Sequence, residues 1–487
     1  MINFRTVLRN SSYLLGFRLL SRLLSVVFLI YAASKLTPEL FGTLSFTLVT
    51  LELINSVGDL GITRYGAREL VRFWDDRAKL AGKILSVQVV TSLVVTAAGL
   101  LIVLALNPPA VKLQLLILAL ASFFFYSIIN TTESVFIASQ KFFFSALFSF
   151  IGRFSYMVFG LIVLASGGSI VLIMWGFLAS VILEALLRIA MVRARITSFS
   201  VRFPTHELLT MLRLCFPFAV ASVASVVTFR GNMFVLDLLK GDAEVGVFNA
   251  AFSMFAPFVW IGIIFSSTIF PGLTADFTND PEAARASCWK WYHLIALVSL
   301  PIAVTVSLLA GTLTGFFPAG YEDIKPILII LIWSVPITLI MDVDFNILQV
   351  SNQESVAARS VVIGAVGSPL LSFALVPFIG ASGAAAALLI ATIAKVIYCR
   401  YQVRQSFLNR SVIGLFVRPA IATAVMGAAG LIALRLNPWF AAFLSLVVFA
   451  IMVVALKVVR LAEIKSLFSK PAATGGNGVD EKYRKVP

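Results

Sequence analysis

Cysteine, histidine and charge are all scarce in this chain. Its three cysteines, Cys215, Cys288 and Cys399, lie far apart in or beside apolar runs, which excludes a disulfide framework and a zinc-type spacing. The two histidines, His206 and His293, are too few for a histidine-based metal site. Charged residues make up 13%, hydrophobic residues 60%, and mean hydropathy is +0.99. Soluble domains run near half apolar and about a quarter charged, so a soluble enzyme is excluded. No Gly-x-Ser-x-Gly or His-Glu-x-x-His is present, and Gly82-Lys83 lacks the rest of a phosphate-binding loop. No cofactor is expected.

What the chain has is long apolar runs. A bilayer crossing needs about 20 such residues, and the 487 residues predict about fourteen spans. They are 11–34, 40–60, 80–106, 113–138, 142–165, 169–191, 208–239, 246–270, 292–315, 326–348, 355–379, 381–401, 416–436 and 438–459. The longest connections are 61–79, 192–207, 271–291 and 402–415, and the polar tail 461–487 reads as disordered. The first run is too long and too Arg-rich for a cleaved signal peptide.

The net charge of +15 comes from 38 Lys+Arg against 23 Asp+Glu. In a membrane protein the positive-inside rule accounts for it without a nucleic-acid partner. With the N-terminus in the cytoplasm, 28 basic residues fall on cytoplasmic segments and span ends, Arg188 and Arg400 among them. Five fall outside: Lys35, Lys112, Lys240, Lys325 and Arg435. That asymmetry predicts both termini on the cytoplasmic side of the inner membrane.

An internal repeat divides the spans. Leu36-Thr37-Pro38-Glu39-Leu40-Phe41-Gly42-Thr43-Leu44 returns 204 residues later as Lys240-Gly241-Asp242-Ala243-Glu244-Val245-Gly246-Val247-Phe248. Both are short turns in which an acid, an apolar residue and a glycine open the next helix. Gly167-Gly168 is echoed by Gly380-Ala381. Six spans per repeat make the halves parallel. The expected fold is all-α: a six-helix lobe at 1–200, a second at 201–402, and two extra helices at 403–460.

These turns, with Gly58-Asp59-Leu60-Gly61 leading into Arg64, Arg68 and Arg72 and with Asn249-Ala250-Ala251 extending the second turn, resemble the polysaccharide (oligosaccharidyl-lipid) flippases of the multidrug/oligosaccharidyl-lipid/polysaccharide exporter superfamily. The resemblance covers all fourteen spans. It implies two six-helix lobes around a central cavity. It also implies movement of undecaprenyl-pyrophosphate-linked glycans to the outer leaflet, with membrane lipids and other polysaccharide-assembly membrane proteins as partners.

In-span charges ask for an explanation of their own, because an Arg at mid-bilayer costs roughly 2.5–3.5 kcal/mol on insertion scales. The basic ones are Arg18, Arg22, Arg153, Arg230 and Lys395. Arg230 shares a helix face with Asp237. Polar stripes run through Glu52-Asn55-Ser56-Asp59, Ser122-Tyr126-Asn130-Glu133 and Asp342-Asn346-Gln349. One reading is a wet cavity whose cations hold a pyrophosphate, with Glu52, Glu133 and Asp342 carrying H⁺ or Na⁺. The other is a set of buried ion pairs that hold helices together, as Glu184 and Arg188 would at four-residue spacing. A cation antiporter of the same superfamily is the competing function. It wants an acidic cavity, and the first span carries Arg18 and Arg22 with no acid. A membrane enzyme is disfavoured, because the outside turns are short.

Overall fold

The computed structural model describes residues 4–200, 208–408, 413–456 and 458. Among them the regular elements are helical: α1 (Phe4–Lys35), α2 (Pro38–Asp59), α3 (Ile62–Arg72), a 3-10 turn (Trp74–Asp76), α4 (Arg77–Leu106), α5 (Ala110–Ala138), α6 (Phe142–Ala165), α7 (Ile170–Arg195), α8 (Leu208–Lys240), α9 (Asp242–Asn279), α10 (Pro281–Thr314), α11 (Ile324–Val350), α12 (Glu354–Ser406), α13 (Ile413–Ala433) and α14 (Pro438–Ala455). Twelve helices within the described residues are long and apolar enough to cross a membrane, and α1 adds the shorter apolar stretch Leu23–Lys35. One of the twelve, α12, holds two spans. Its helical geometry breaks at Ile379 and at Gly380, whose φ is +55°, where the sequence separates spans eleven and twelve. A carboxylate from α9 caps the second part, Ala381 N donating to Glu244 Oε2 at 2.7 Å. The chain is a polytopic all-α membrane protein.

Exposure runs opposite to that of a soluble protein. Leu101 (69%), Ile432 (74%) and Phe443 (66%) face outward while Thr47, Asn232 and Asp344 are fully buried. Lipid is as apolar as leucine, so the interior is where polar groups find partners. Helix ends follow local chemistry. Thr37 caps α2 through Leu40 N (3.4 Å) with Pro38 in the first turn. Asn437 caps α14 through Trp439 N (2.8 Å) with Pro438 next.

Two stretches expected to be loops are helical. The 61–79 connection contains α3, whose Ile62, Gly66, Ala67 and Leu70 are buried and share one face at helical spacing. The 271–291 connection is the end of α9 and the start of α10.

The chain forms two compact units, Met1–Cys288 with Ala310–Arg410, and Trp289–Leu309 with Ser411–Pro487. In the second, Val304, Leu308 and Met426 pack together with Leu434 and Phe449.

Within the first unit α2 and α9 meet at Gly42 and Gly246. A Cβ on Gly42 would fall on the Asp242 carbonyl, and one on Gly246 would fall on the Pro38 carbonyl. Asn249 Nδ2 donates to Ser45 Oγ at 2.8 Å, 204 positions away. The obstacle of each residue is thus the partner of the other, moved by the repeat length. That is the reciprocity of a two-fold axis, here inside one chain. Both helices start at the same end, so the halves are parallel. Gly58 and Gly262, also one repeat apart, do the same job in each half: Gly58 receives Phe123 of α5, and Gly262 receives Leu339 and Asp342 of α11.

Candidate functional site

The polar interior of the first unit is built where α2, α8 and α9 converge. Arg230 Nε lies 3.4 Å from Glu52 Oε2, with Arg230 23% and Glu52 52% exposed. Arg230 Nη1 donates to Asn249 Oδ1 at 3.4 Å, and the guanidinium sits over the Phe252 ring, 4.4 Å from its centroid. Both polar contacts are long for a charge-assisted bond, which is normally about 2.7–2.9 Å, so other ligands can compete for these donors. Along the same wall Asn130 Nδ2 donates to Asn55 Oδ1 at 3.0 Å. Glu184, Arg153, Glu52 and Arg188 all lie within electrostatic reach of the Tyr126 hydroxyl. Arg153 itself is exposed. The Arg18 and Arg22 side chains lie outside the described residues.

Behind this wall is a buried knot. Arg188, 2% exposed, pairs with Glu133 Oε2 (2.9 Å) and Glu184 Oε1 (2.8 Å). It also donates to the Ser145 carbonyl (3.1 Å) and Ser149 Oγ (2.6 Å). Ser145 Oγ donates to Glu133 at 2.5 Å, and Ser149 Oγ to Glu184 at 3.1 Å. One guanidinium therefore ties α5, α6 and α7 together. The Glu184–Arg188 pair expected from four-residue spacing is present, and Glu133 completes an interior ion-pair centre whose two carboxylates compensate the desolvation of Arg188.

The second half repeats the device in the corresponding helices. Arg400 of α12 lies 3.0 Å from Asp344 of α11, which is fully buried. Lys395, 6% exposed, runs past Gly364 and Thr228 with Asp342 in electrostatic reach.

At the end that carries the α1–α2 and α8–α9 turns, the halves are clasped. Lys112 of α5 reaches across to Asp237 (2.5 Å) and Asp242 (2.8 Å) and lies 4.3 Å from the Phe46 ring centroid. At the same end Tyr321, just before α11, donates to the Leu36 carbonyl at 3.4 Å. Burial pushes the Tyr321 phenol well above its usual range, so it remains a donor. Lys112 is thus an interior tether, 9% exposed, and Asp237, which shares a helix face with Arg230, pairs with Lys112. The sequence offered no spacing that joins Lys112 to Asp237, 125 positions away.

This clasp gives a direct expectation. With Lys112→Met the ion pairs that join α5 to α8 and α9 are lost, which favours separation of the halves at this end. A cysteine at Asn249, 4% exposed, should then react about tenfold faster or more with an impermeant thiol reagent, since a factor of ten needs only about 1.4 kcal/mol. Cys215, Cys288 and Cys399 are buried and leave a low background. An unchanged labelling rate would show that Lys112 does not hold this end shut.

Known proteins share this architecture. A solved structure of the lipid II flippase MurJ in an inward closed conformation superposes with a TM-score of 0.74 at 15% identity, covering 93% of this chain and 99% of that one. An inward-facing multidrug resistance MATE family transporter of the MOP superfamily gives 0.65 at 16%, covering 81% and 95%. In sequence, the lipid II flippase MurJ of Bacillus subtilis (strain 168) is 27% identical over 193 residues, which span 38% of this chain and only 35% of that relative. The family described as polysaccharide biosynthesis protein matches over residues 7–275, more than half of the chain. The chain belongs to the polysaccharide biosynthesis protein family and has the MOP-superfamily fold.

Proposed function

We propose that this protein is a flippase that moves undecaprenyl-pyrophosphate-linked oligosaccharide from the inner to the outer leaflet of the cytoplasmic membrane, for cell-surface polysaccharide synthesis. The halves 1–200 and 201–402 act as lobes in alternating access, with both termini cytoplasmic. The observation that carries the reading is Arg230, a cation in the interior whose bonds to Glu52 and Asn249 are both 3.4 Å long. A pyrophosphate oxygen can take those donors at shorter range and in the forked geometry arginine offers. Arg153 and Lys395 supply further positive charge, and Arg18 and Arg22 extend it along the first helix. Release of Glu52 from Arg230 leaves an exposed carboxylate free to take up H⁺ or Na⁺. Glu133 and Asp342 are the half-buried acids to compare with it. The family match and the flippase named among the relatives support the transport reading over an enzymatic one.

Arg230→Gln should lower binding of a pyrophosphate-linked polyprenyl glycan by about tenfold to a hundredfold, since hydrogen bonds to charged groups contribute roughly 1.5–3 kcal/mol. Affinity of the unsubstituted protein should fall as salt rises. Glu52→Gln should raise that affinity, because a competing anion is gone. If Arg230→Gln leaves binding intact while Glu52→Gln abolishes transport of a cation such as ethidium, the cation antiporter is the correct reading.

A further inference from the structure

The helix α3 is not used by the transport reading, yet its surface is unusual for water. It starts just after α2 ends and stops just before α4 begins. Both neighbours are spans, so α3 sits at the headgroup level of one leaflet. Its inner flank, Ile62 and Leu70, is fully buried against Ile84 of α4, Phe136 of α5, Val192 of α7 and Met211 of α8. It therefore lies across the ends of these helices. The outer flank carries Arg64, Arg68 and Arg72 at four-residue spacing, all exposed. Val71 (62% exposed) and Phe73 (48% exposed) stand beside them. Arg68 is shared with Glu69 at 3.3 Å. No described carboxylate lies within ion-pair distance of Arg64 or Arg72.

The position of the apolar pair decides what covers this face. Val71 and Phe73 lie at the foot of α4, of whose most apolar window only 17% is buried. Its Leu93, Val94 and Leu101 are exposed, so α4 faces lipid. Arginine and apolar groups together on a helix in the plane of the bilayer fit the boundary between headgroups and chains. The positive charge of the arginines is drawn to an anionic leaflet surface. We propose that the Arg64–Arg68–Arg72 face of α3 binds the headgroups of anionic phospholipids in the adjoining leaflet, with Val71 and Phe73 seated at the chain boundary. The inference stands apart from the identity of the transported substrate.

The test is lipid retention. Full-length protein is reconstituted in vesicles of mixed phosphatidylglycerol and phosphatidylcholine, extracted, and its bound lipids are counted by native mass spectrometry. Phosphatidylglycerol should be enriched over its share of the vesicle. Enrichment should fall about fivefold per arginine replaced by glutamine, the worth of one basic residue at an anionic surface. Replacing all three by lysine should preserve most of it, because the leaflet field acts on charge. Arg72→Gln alone, at the periphery, guards against misfolding and should give a fivefold loss by itself. No enrichment in the unsubstituted protein, or enrichment unchanged by the glutamine variants, overturns the proposal. So does binding of inorganic pyrophosphate to lipid-free protein that the triple glutamine variant abolishes while phosphatidylglycerol enrichment persists; the face would then belong to a transported headgroup.

Discussion

Gly42→Ala and Gly246→Ala should each destabilise the protein substantially, and the double variant should be little worse than either. Overpacking a core by a methyl group typically costs about 1–3 kcal/mol. The cost here belongs at or above the upper end, because the obstacle is backbone: the Asp242 carbonyl for Gly42 and the Pro38 carbonyl for Gly246. Neither carbonyl can rotate away as a side chain would, so α2 and α9 must move apart. Once either methyl has forced them apart, the other finds room already made. Independent sites add to within about 0.3–0.5 kcal/mol, so a shortfall from additivity above about 1 kcal/mol is the signature of a shared axis. Equilibrium unfolding of the two single variants and the double variant in detergent measures it. Simple additivity would show that the two glycines relieve separate strains and do not share one contact.

The same axis shows why the fold was legible. Turn chemistry is local, so Pro38 and Gly42, and Asp242 and Gly246, could be matched as letters before any contact was known. The break at Gly380 followed its echo at Gly167-Gly168. The helix α3 was not foreseen, because three arginines in eleven residues read as a cytoplasmic loop. Its buried stripe is four small or apolar residues whose partners come from distant helices.

The site was half legible for a similar reason. Periodicity shows which residues share a face but not which face of another helix they meet. Glu184 and Arg188 are one turn apart and could be paired from sequence; Glu133, 55 positions away, could not. Arg230 and Asp237 share a face, yet Arg230 goes to Glu52 and Asp237 to Lys112. Both choices are made across helices by proximity and desolvation.

Arg188 carries the other large expected effect. Arg188→Met should cost about 3–5 kcal/mol, the usual penalty for breaking a buried pair, because it takes from Glu133 and Glu184 the cation they share and leaves Ser145 and Ser149 donating to two uncompensated carboxylates. Arg188→Lys should recover part of this: an ammonium holds one carboxylate but cannot fork to both and to Ser149. The triple variant Arg188→Met, Glu133→Gln, Glu184→Gln should recover most of it, since removing every charge of a buried cluster is often close to neutral. Transport then separates the two readings of Glu133. If the cluster is a structural tie, the triple variant transports with its H⁺ or Na⁺ dependence unchanged. If Glu133 carries the coupled ion, the triple variant folds and binds the glycan yet loses that dependence, and Glu133→Gln alone loses it too, with Arg188 still held by Glu184. The geometry favours the tie, because Arg188 and Ser145 already hold the Glu133 carboxylate at 2.9 and 2.5 Å. An ion joining it would have to displace the guanidinium that binds three helices together.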